Sequence, residues 1–190
     1  MKPVLLIIDV QNEWNNPKWE AFVPNFKGLV QNIKSLKDVC KKSGIPVIYS
    51  RHVRKKDGSF NEKNEPTPPS AFVIGTKGVE ISDEIAPDKN DIVIDKTRFS
   101  VFYKTDLLKT LKKLKADTLI ITGIMTNACV RTTAIDAYQM DYNVVVVSDC
   151  CATTSKEAHE ANLEDLRTIT YGLQVLTSEE VERMLRGELS

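Results

Sequence analysis

Histidine is scarce in this chain, with two in 190 residues. Nothing near His52 in sequence completes a set of metal ligands. Four cysteines, Cys40, Cys129, Cys150 and Cys151, show neither paired metal-ligand spacing nor the density of a secreted disulfide framework, so they read as free thiols. No apolar run approaches the roughly 20 residues a membrane-spanning helix requires, and the chain enters a strand directly, with no signal-peptide pattern. A cytoplasmic location is the expectation. An excess of charge is missing too: 26 Lys and Arg balance 26 Asp and Glu, so no global field attracts nucleic acid or a membrane surface. No Gly-x-Gly-x-x-Gly follows the first strand, which leaves dinucleotide binding without support. These absences leave a single domain over residues 1–190, of ordinary globular composition with 42% hydrophobic and 27% charged residues.

What the chain does contain is a repeated alternation of short apolar runs with helical stripes. Val4 to Ile8 is continuously apolar, the pattern of a strand covered on both faces, and it ends at Asp9-Val10-Gln11. Leu29, Val30, Ile33, Leu36, Val39 and Cys40 recur at helical spacing within a helix predicted over about 25–43, stopped by Gly44. A second strand follows from Ile45 to Ser50. Strand, helix, strand implies parallel pairing with a right-handed crossover. Further strands are predicted over 91–95, 118–122, 144–148 and 172–176, with helices after Asp106, from near Asn127 to about Met140, over 157–166 and from Ser178 onward. Six strands alternating with helices, without internal repeats, predict a three-layer, doubly wound, Rossmann-like α/β sheet of about six mainly parallel strands. Residues 51–78 form a long aperiodic excursion that carries the basic cluster Arg51 to Lys56 and Pro66-Thr67-Pro68-Pro69. Such excursions commonly cover a site.

Three residues stand where that sheet would bind a ligand. Cys129 lies in the first turn of a helix that follows a buried strand closed by Gly123, where backbone N–H groups and the helix dipole favour a thiolate. It is a candidate nucleophile, and equally a small buried apolar residue. Asp9 and Lys96 end two other strands, on the edge where open α/β sheets bind ligands. Capping of the following loop by Asp9 and simple solvation of Lys96 are the plainer readings. Should the three converge, a carboxylate base, a cation that lowers the thiol pKa and helix-start amides for an oxyanion make acyl-transfer chemistry. Within the basic cluster Arg54 is best suited to a substrate carboxylate. The aromatics Trp14, Trp19, Phe22 and Phe26 either wall a pocket or pack in the core or against another subunit. His159, on a helix, reads as a partner for helix or loop groups.

Taken in order, Asp9-x-Gln11, Lys96-x-Arg98-x-Ser100-x-Phe102, Gly123-x-x-Thr126-x-x-Cys129-Val130 and Thr133-Ala134-x-Asp136-Ala137 make nearly the whole chain resemble the isochorismatase-like cysteine hydrolases. That superfamily includes nicotinamidase and N-carbamoylsarcosine amidase. The resemblance implies the isochorismatase-like hydrolase fold, with Cys129 as nucleophile, Asp9 as base and then acid, and Lys96 as electrostatic partner of both. It implies a cis peptide at Ile124-Met125 that turns the Met125 amide toward an oxyanion beside the amide of Cys129. Substrate contacts are expected from Gln11, Trp14, Arg54, Arg98, Phe102 and Asn127, and a homo-oligomer, dimer or tetramer, is expected too. The expected partner is a small-molecule substrate, with no nucleic acid and no membrane. No cofactor and no metal are expected: the Asp-x-His metal pair of nicotinamidases falls, by ungapped count, on His52 and Arg54, and an arginine cannot replace a ligating imidazole.

Isochorismatases that cleave a vinyl ether generally lack the cysteine. Cys129 therefore favours hydrolysis of a C–N bond in a small amide or carbamoyl substrate through a thioester. Vinyl-ether hydrolysis by Asp9, with Arg54 and Arg98 receiving an acidic substrate, and a non-catalytic ligand-binding protein on the same fold are the alternatives. A haloacid-dehalogenase-like phosphatase would need a second acid two residues after Asp9, where Gln11 stands.

Overall fold

The computed structural model describes residues 1–19, 21–64, 69, 71–169 and 171–188. Six strands, β1 (Pro3–Ile8), β2 (Val47–His52), β3 (Ile92–Lys96), β4 (Thr118–Ile124), β5 (Asn143–Ala152) and β6 (Gln174–Leu176), form one sheet. All neighbours pair in parallel, in the order β3-β2-β1-β4-β5-β6. The helices are α1 (Phe26–Lys42), α2 (Leu107–Leu114), α3 (Arg131–Gln139), α4 (Lys156–Ile169) and α5 (Ser178–Leu185). Among the described residues no helix is long and apolar enough to cross a membrane.

Two cores explain why the strands are apolar without alternation. Successive side chains on a strand point to opposite faces. Leu5 and Ile7 of β1 pack with Leu29, Ile33 and Leu36 of α1 and Val181 of α5, whereas Val4, Leu6 and Ile8 pack with Leu107 of α2, Ala134 of α3 and Leu166 of α4. With helices on both faces, every position of β1 after Pro3 is buried. This is the predicted three-layer, doubly wound arrangement.

The chain runs outward from β1 through β2 to β3, then returns across α2 to place β4 on the other side of β1. Strand order therefore reverses between β1 and β4, and the crevice at their carboxyl ends is where such sheets take ligands. Registers bring the ends level: Ile8 pairs with both Ser50 and Gly123, and His52 pairs with Lys96.

Several elements differ from the sequence-based expectation. Strand β5 runs on to Ala152, and the register of β4 on β5 shifts between Ile121 and Gly123. The helix expected from Asn127 opens instead as a wide π-turn over Thr126–Val130, in which Val130 N–H reaches the Met125 carbonyl at 3.1 Å; regular α-helix begins at Arg131. Helix α5 starts on a capping box between Thr177 and Glu180. The expectation that 51–78 covers the site rests partly on Pro66, Thr67 and Pro68, which lie outside the described residues.

Candidate active site

Asp9 follows β1 with φ at 51°, a left-handed conformation that Asp tolerates better than most residues. Four hydrogen bonds with three neighbours hold it there. Its N–H donates to the Ser50 carbonyl at 3.1 Å, its carbonyl accepts from Gln11 N–H at 2.8 Å and from Trp14 Nε1 at 2.7 Å, and Ser50 Oγ donates to Oδ1 at 2.7 Å. The second oxygen, Oδ2, lies 2.6 Å from Lys96 Nζ, and both side chains are fully buried. That approach is an ion pair without the alignment of a hydrogen bond.

From the end of β3, Lys96 Nζ also reaches the Arg98 carbonyl at 2.9 Å and Cys129 Sγ at 3.4 Å. One ammonium thus makes two hydrogen bonds and one ion pair. Burial pulls the Lys96 pKa down, but the Asp9 carboxylate, with the Cys129 sulfur beside it, outweighs that and the net shift is upward, so the ammonium persists. The Cys129 thiol is pushed up to about 12, first by burial and then by the Asp9 carboxylate, against which Lys96 acts. At rest the sulfur therefore carries its proton, next to a carboxylate able to take it. Of the three residues Cys129 keeps the most exposure, 6% against 0% for Asp9 and 1% for Lys96.

Beside them, the Ile124-Met125 peptide is cis, as the resemblance implies, and Thr126 to Val130 carry the cysteine past it. Gly123 makes this crossing possible: with φ at 120°, a Cβ there would stand 2.0 Å from the Ile8 carbonyl oxygen. Two side chains from other elements tether the turn. Thr126 Oγ1 and His159 Nδ1 of α4 are 2.8 Å apart, and Thr153 Oγ1, just past β5, donates to Asn127 Oδ1 at 2.7 Å.

Other expected substrate contacts are occupied elsewhere. Gln11 is fully buried and spends its amide on the backbone, donating to the His52 and Val79 carbonyls at 2.9 and 2.7 Å and accepting from His52 N–H at 2.9 Å. Wholly buried and bonded to the backbone at both ends of its amide, the side chain is turned away from a ligand, which corrects the expected substrate contact. Trp14 is likewise 5% exposed, stacked against Trp19 and Phe72 at 5.0 Å each, and supports the Asp9 carbonyl instead of walling a pocket. Phe102 packs on the second core near Tyr142. The Arg98 guanidinium donates to the Phe60, Asn61 and Thr97 carbonyls, which anchors the loop. It also lines a cavity of about 440 Å³ with Glu62, Phe99, Ser100, Tyr103, Thr132 and Asp136, beside the Asp9, Lys96 and Cys129 cluster and not containing it. Half-buried Arg54 lies with its guanidinium carbon 5.6 Å from the Phe72 ring centroid, and Asn127 is exposed.

His52 is buried beside Lys96, and its pKa falls to about 3, chiefly through burial and then through the Lys96 charge. A neutral imidazole offers a lone pair, yet the guanidinium of Arg54 offers none. Among the described residues no three His, Cys, Asp or Glu side chains gather closely enough to hold a metal ion. These residues do not fit a metal centre at 52 and 54.

Sequence reasoning passed over Ser50, Thr153 and the specific partner of His159. Ser50 closes the second predicted strand, one residue from the expected ligand edge; that position was the available signal.

Comparison with known proteins fits this geometry. A model of the isochorismatase domain matches residues 3–180. Nicotinamidase 3 of Arabidopsis thaliana is 30% identical over 96% of this chain and 88% of its own length. Maleamate amidohydrolase of Pseudomonas putida is 27% identical over 97% and 87%. The crystal structure of an isochorismatase family protein from Desulfovibrio vulgaris superposes with a TM-score of 0.90 at 32% identity, covering 97% of this chain and 98% of that one. A doubly wound sheet with an acid, an amine and a sulfur at its switch point, matched along nearly its full length, places this chain in the isochorismatase family of hydrolases.

Proposed function

We propose that this protein hydrolyses a C–N bond of a small amide or carbamoyl compound through a thioester on Cys129. The observation that carries the reading is the position of Lys96 Nζ, 2.6 Å from Asp9 Oδ2 and 3.4 Å from Cys129 Sγ. Relatives named as an amidohydrolase and a nicotinamidase support the bond class.

The chemistry follows from the resting charges. Because the thiol is pushed up to about 12, it does not ionise by itself near neutral pH, so Asp9 takes the proton as the sulfur attacks the carbonyl carbon. The carbonyl electron pair moves onto oxygen, and the amides of Met125 and Cys129 stabilise that oxyanion. As the oxyanion collapses, the C–N bond breaks and Asp9 returns the proton to the departing amine, leaving a thioester. A water then attacks, giving its proton to the same carboxylate, and the acid product leaves as the sulfur regains its hydrogen. Throughout, the Lys96 ammonium offsets negative charge on whichever of Asp9 and Cys129 carries it. Arg54 is the side chain proposed to receive an anionic group of the substrate, and Asn127 a polar one.

The test is a screen of primary amides, carbamoyl compounds and isochorismate, scored for ammonia and for pyruvate, with the wild type and Cys129→Ala. Ammonia release that falls about 10³-fold or more in the variant is expected, by analogy with loss of other nucleophiles. Undiminished turnover in Cys129→Ala refutes the thioester. Pyruvate release that survives Cys129→Ala but not Asp9→Asn identifies the vinyl-ether reaction instead.

A further inference from the structure

The two oxygens of the Asp9 carboxylate stand in different surroundings. Oδ1 accepts the Ser50 hydroxyl at 2.7 Å, while Oδ2 is buried 2.6 Å from Lys96 Nζ and, among the described residues, accepts no aligned hydrogen bond. We infer that Ser50 is a positioning residue for the reaction: by occupying Oδ1 it makes Oδ2 the oxygen that takes the thiol proton and gives it back. The inference rests on the reading of Asp9 as the base.

Ser50 is well placed to do this. It sits in β2, wholly buried, and its own carbonyl accepts the Asp9 N–H at 3.1 Å. One residue thus holds Asp9 at two points, main chain and side chain, and the hydroxyl is a donor that rotates to suit its acceptor. A carboxylate free to turn about its terminal torsion would present either oxygen to the sulfur. With Oδ1 bonded, the torsion is held and Oδ2 stays beside Lys96 Nζ, the ammonium that also reaches Cys129 Sγ.

Iodoacetamide tests the idea without the natural substrate. In its reaction a C–S bond forms as C–I breaks, iodide leaves, and the thiol proton goes to Asp9. The rate of Cys129 alkylation is followed by intact mass and peptide mapping from about pH 5 to pH 9 for the wild type, Ser50→Ala and Ser50→Thr. Ser50→Ala is expected to slow Cys129 alkylation near neutral pH by about tenfold or more, the scale of one hydrogen bond to a charged group. Ser50→Thr, which keeps the hydroxyl, recovers most of the rate. A Ser50→Ala profile that overlays the wild type overturns the inference while leaving Cys129 as nucleophile. A wild-type Cys129 that reacts no faster than Cys40 overturns it together with the thioester reading. If Ser50→Ala does not fold, Ser50→Cys, a much weaker donor of similar size, decides: slowed alkylation supports the inference and an unchanged profile ends it.

Discussion

A lysine as buried as Lys96, 1% exposed, survives as a cation only because acceptors surround it. Replacing it with Met leaves the Asp9 carboxylate buried without its counter-charge, and uncompensated charges of that kind cost about 3–5 kcal/mol. Lys96→Met is therefore expected to lose stability on that scale in urea denaturation. It also removes a group that lowers the Cys129 pKa against burial and Asp9, so alkylation of Cys129 by iodoacetamide near neutral pH should fall to the level of Cys40. Gln11 and Trp14 show what residue types alone leave open. An amide or an indole after a strand looks the same in sequence whether it faces a ligand or a backbone carbonyl. For Gln11 the distances decide: three backbone groups from two segments, at positions 52 and 79, converge on one amide.

Among the elements, β4 carries a glycine that no other residue can replace without strain. Its glycine crosses β1 with a φ of 120°, and the nearest obstacle to a side chain is the main chain at Ile8, which cannot swing aside. Gly123→Ala combines a backbone conformation that L-residues avoid with a contact at 2.0 Å. Expected is a loss of several kcal/mol in thermal or urea unfolding, with Cys129 alkylation impaired even where the variant folds, because β1 and β4 carry Asp9 and the cysteine turn. A variant with wild-type Tm and alkylation rate would refute this account of the crossing. The strand was legible in Leu119-Ile120-Ile121-Thr122, and the glycine marked its end. The π-turn was not legible. Apolar residues after Cys129 recur at helical spacing whether the first turn is α or wider, and the turn is settled by tethers from Thr153 and His159, more than twenty residues away in sequence.

At the scale of the molecule, burial of ionisable groups sets a pH window for stability. His52 binds no proton when folded until about pH 3, whereas unfolded it titrates near 6.5. Below 6.5 the unfolded chain holds more protons, so stability falls as pH drops from 6.5 toward 3. On the alkaline side burial raises the thiols of Cys40, Cys129 and Cys151 to about 12, and raises Cys150 too. Above the ordinary thiol value of 9.0 the unfolded chain has released protons that the folded chain keeps. Stability therefore falls again from about pH 9 upward, at no more than about 1.4 kcal/mol per pH unit for each group. Urea unfolding under reducing conditions across this range should show both limbs, and His52→Gln should flatten the acid one. An acid limb unchanged by that substitution would assign it to other groups.

Much of the architecture could be read from one chain because its causes are local. Apolar runs without alternation mean strands covered on both faces, and strands separated by helical stripes must pair in parallel, so their carboxyl ends share an edge. Residue types placed Asp9, Lys96 and Cys129 on that edge. Tertiary structure alone decided that the edge has its switch point between β1 and β4, that Lys96 reaches across β2 and β1 to both partners, and that Gln11 and Trp14 face inward to the backbone. Strand order, side-chain direction and hydrogen-bond pairing depend on contacts between residues far apart in sequence, and no local pattern encodes which of two buried groups will meet.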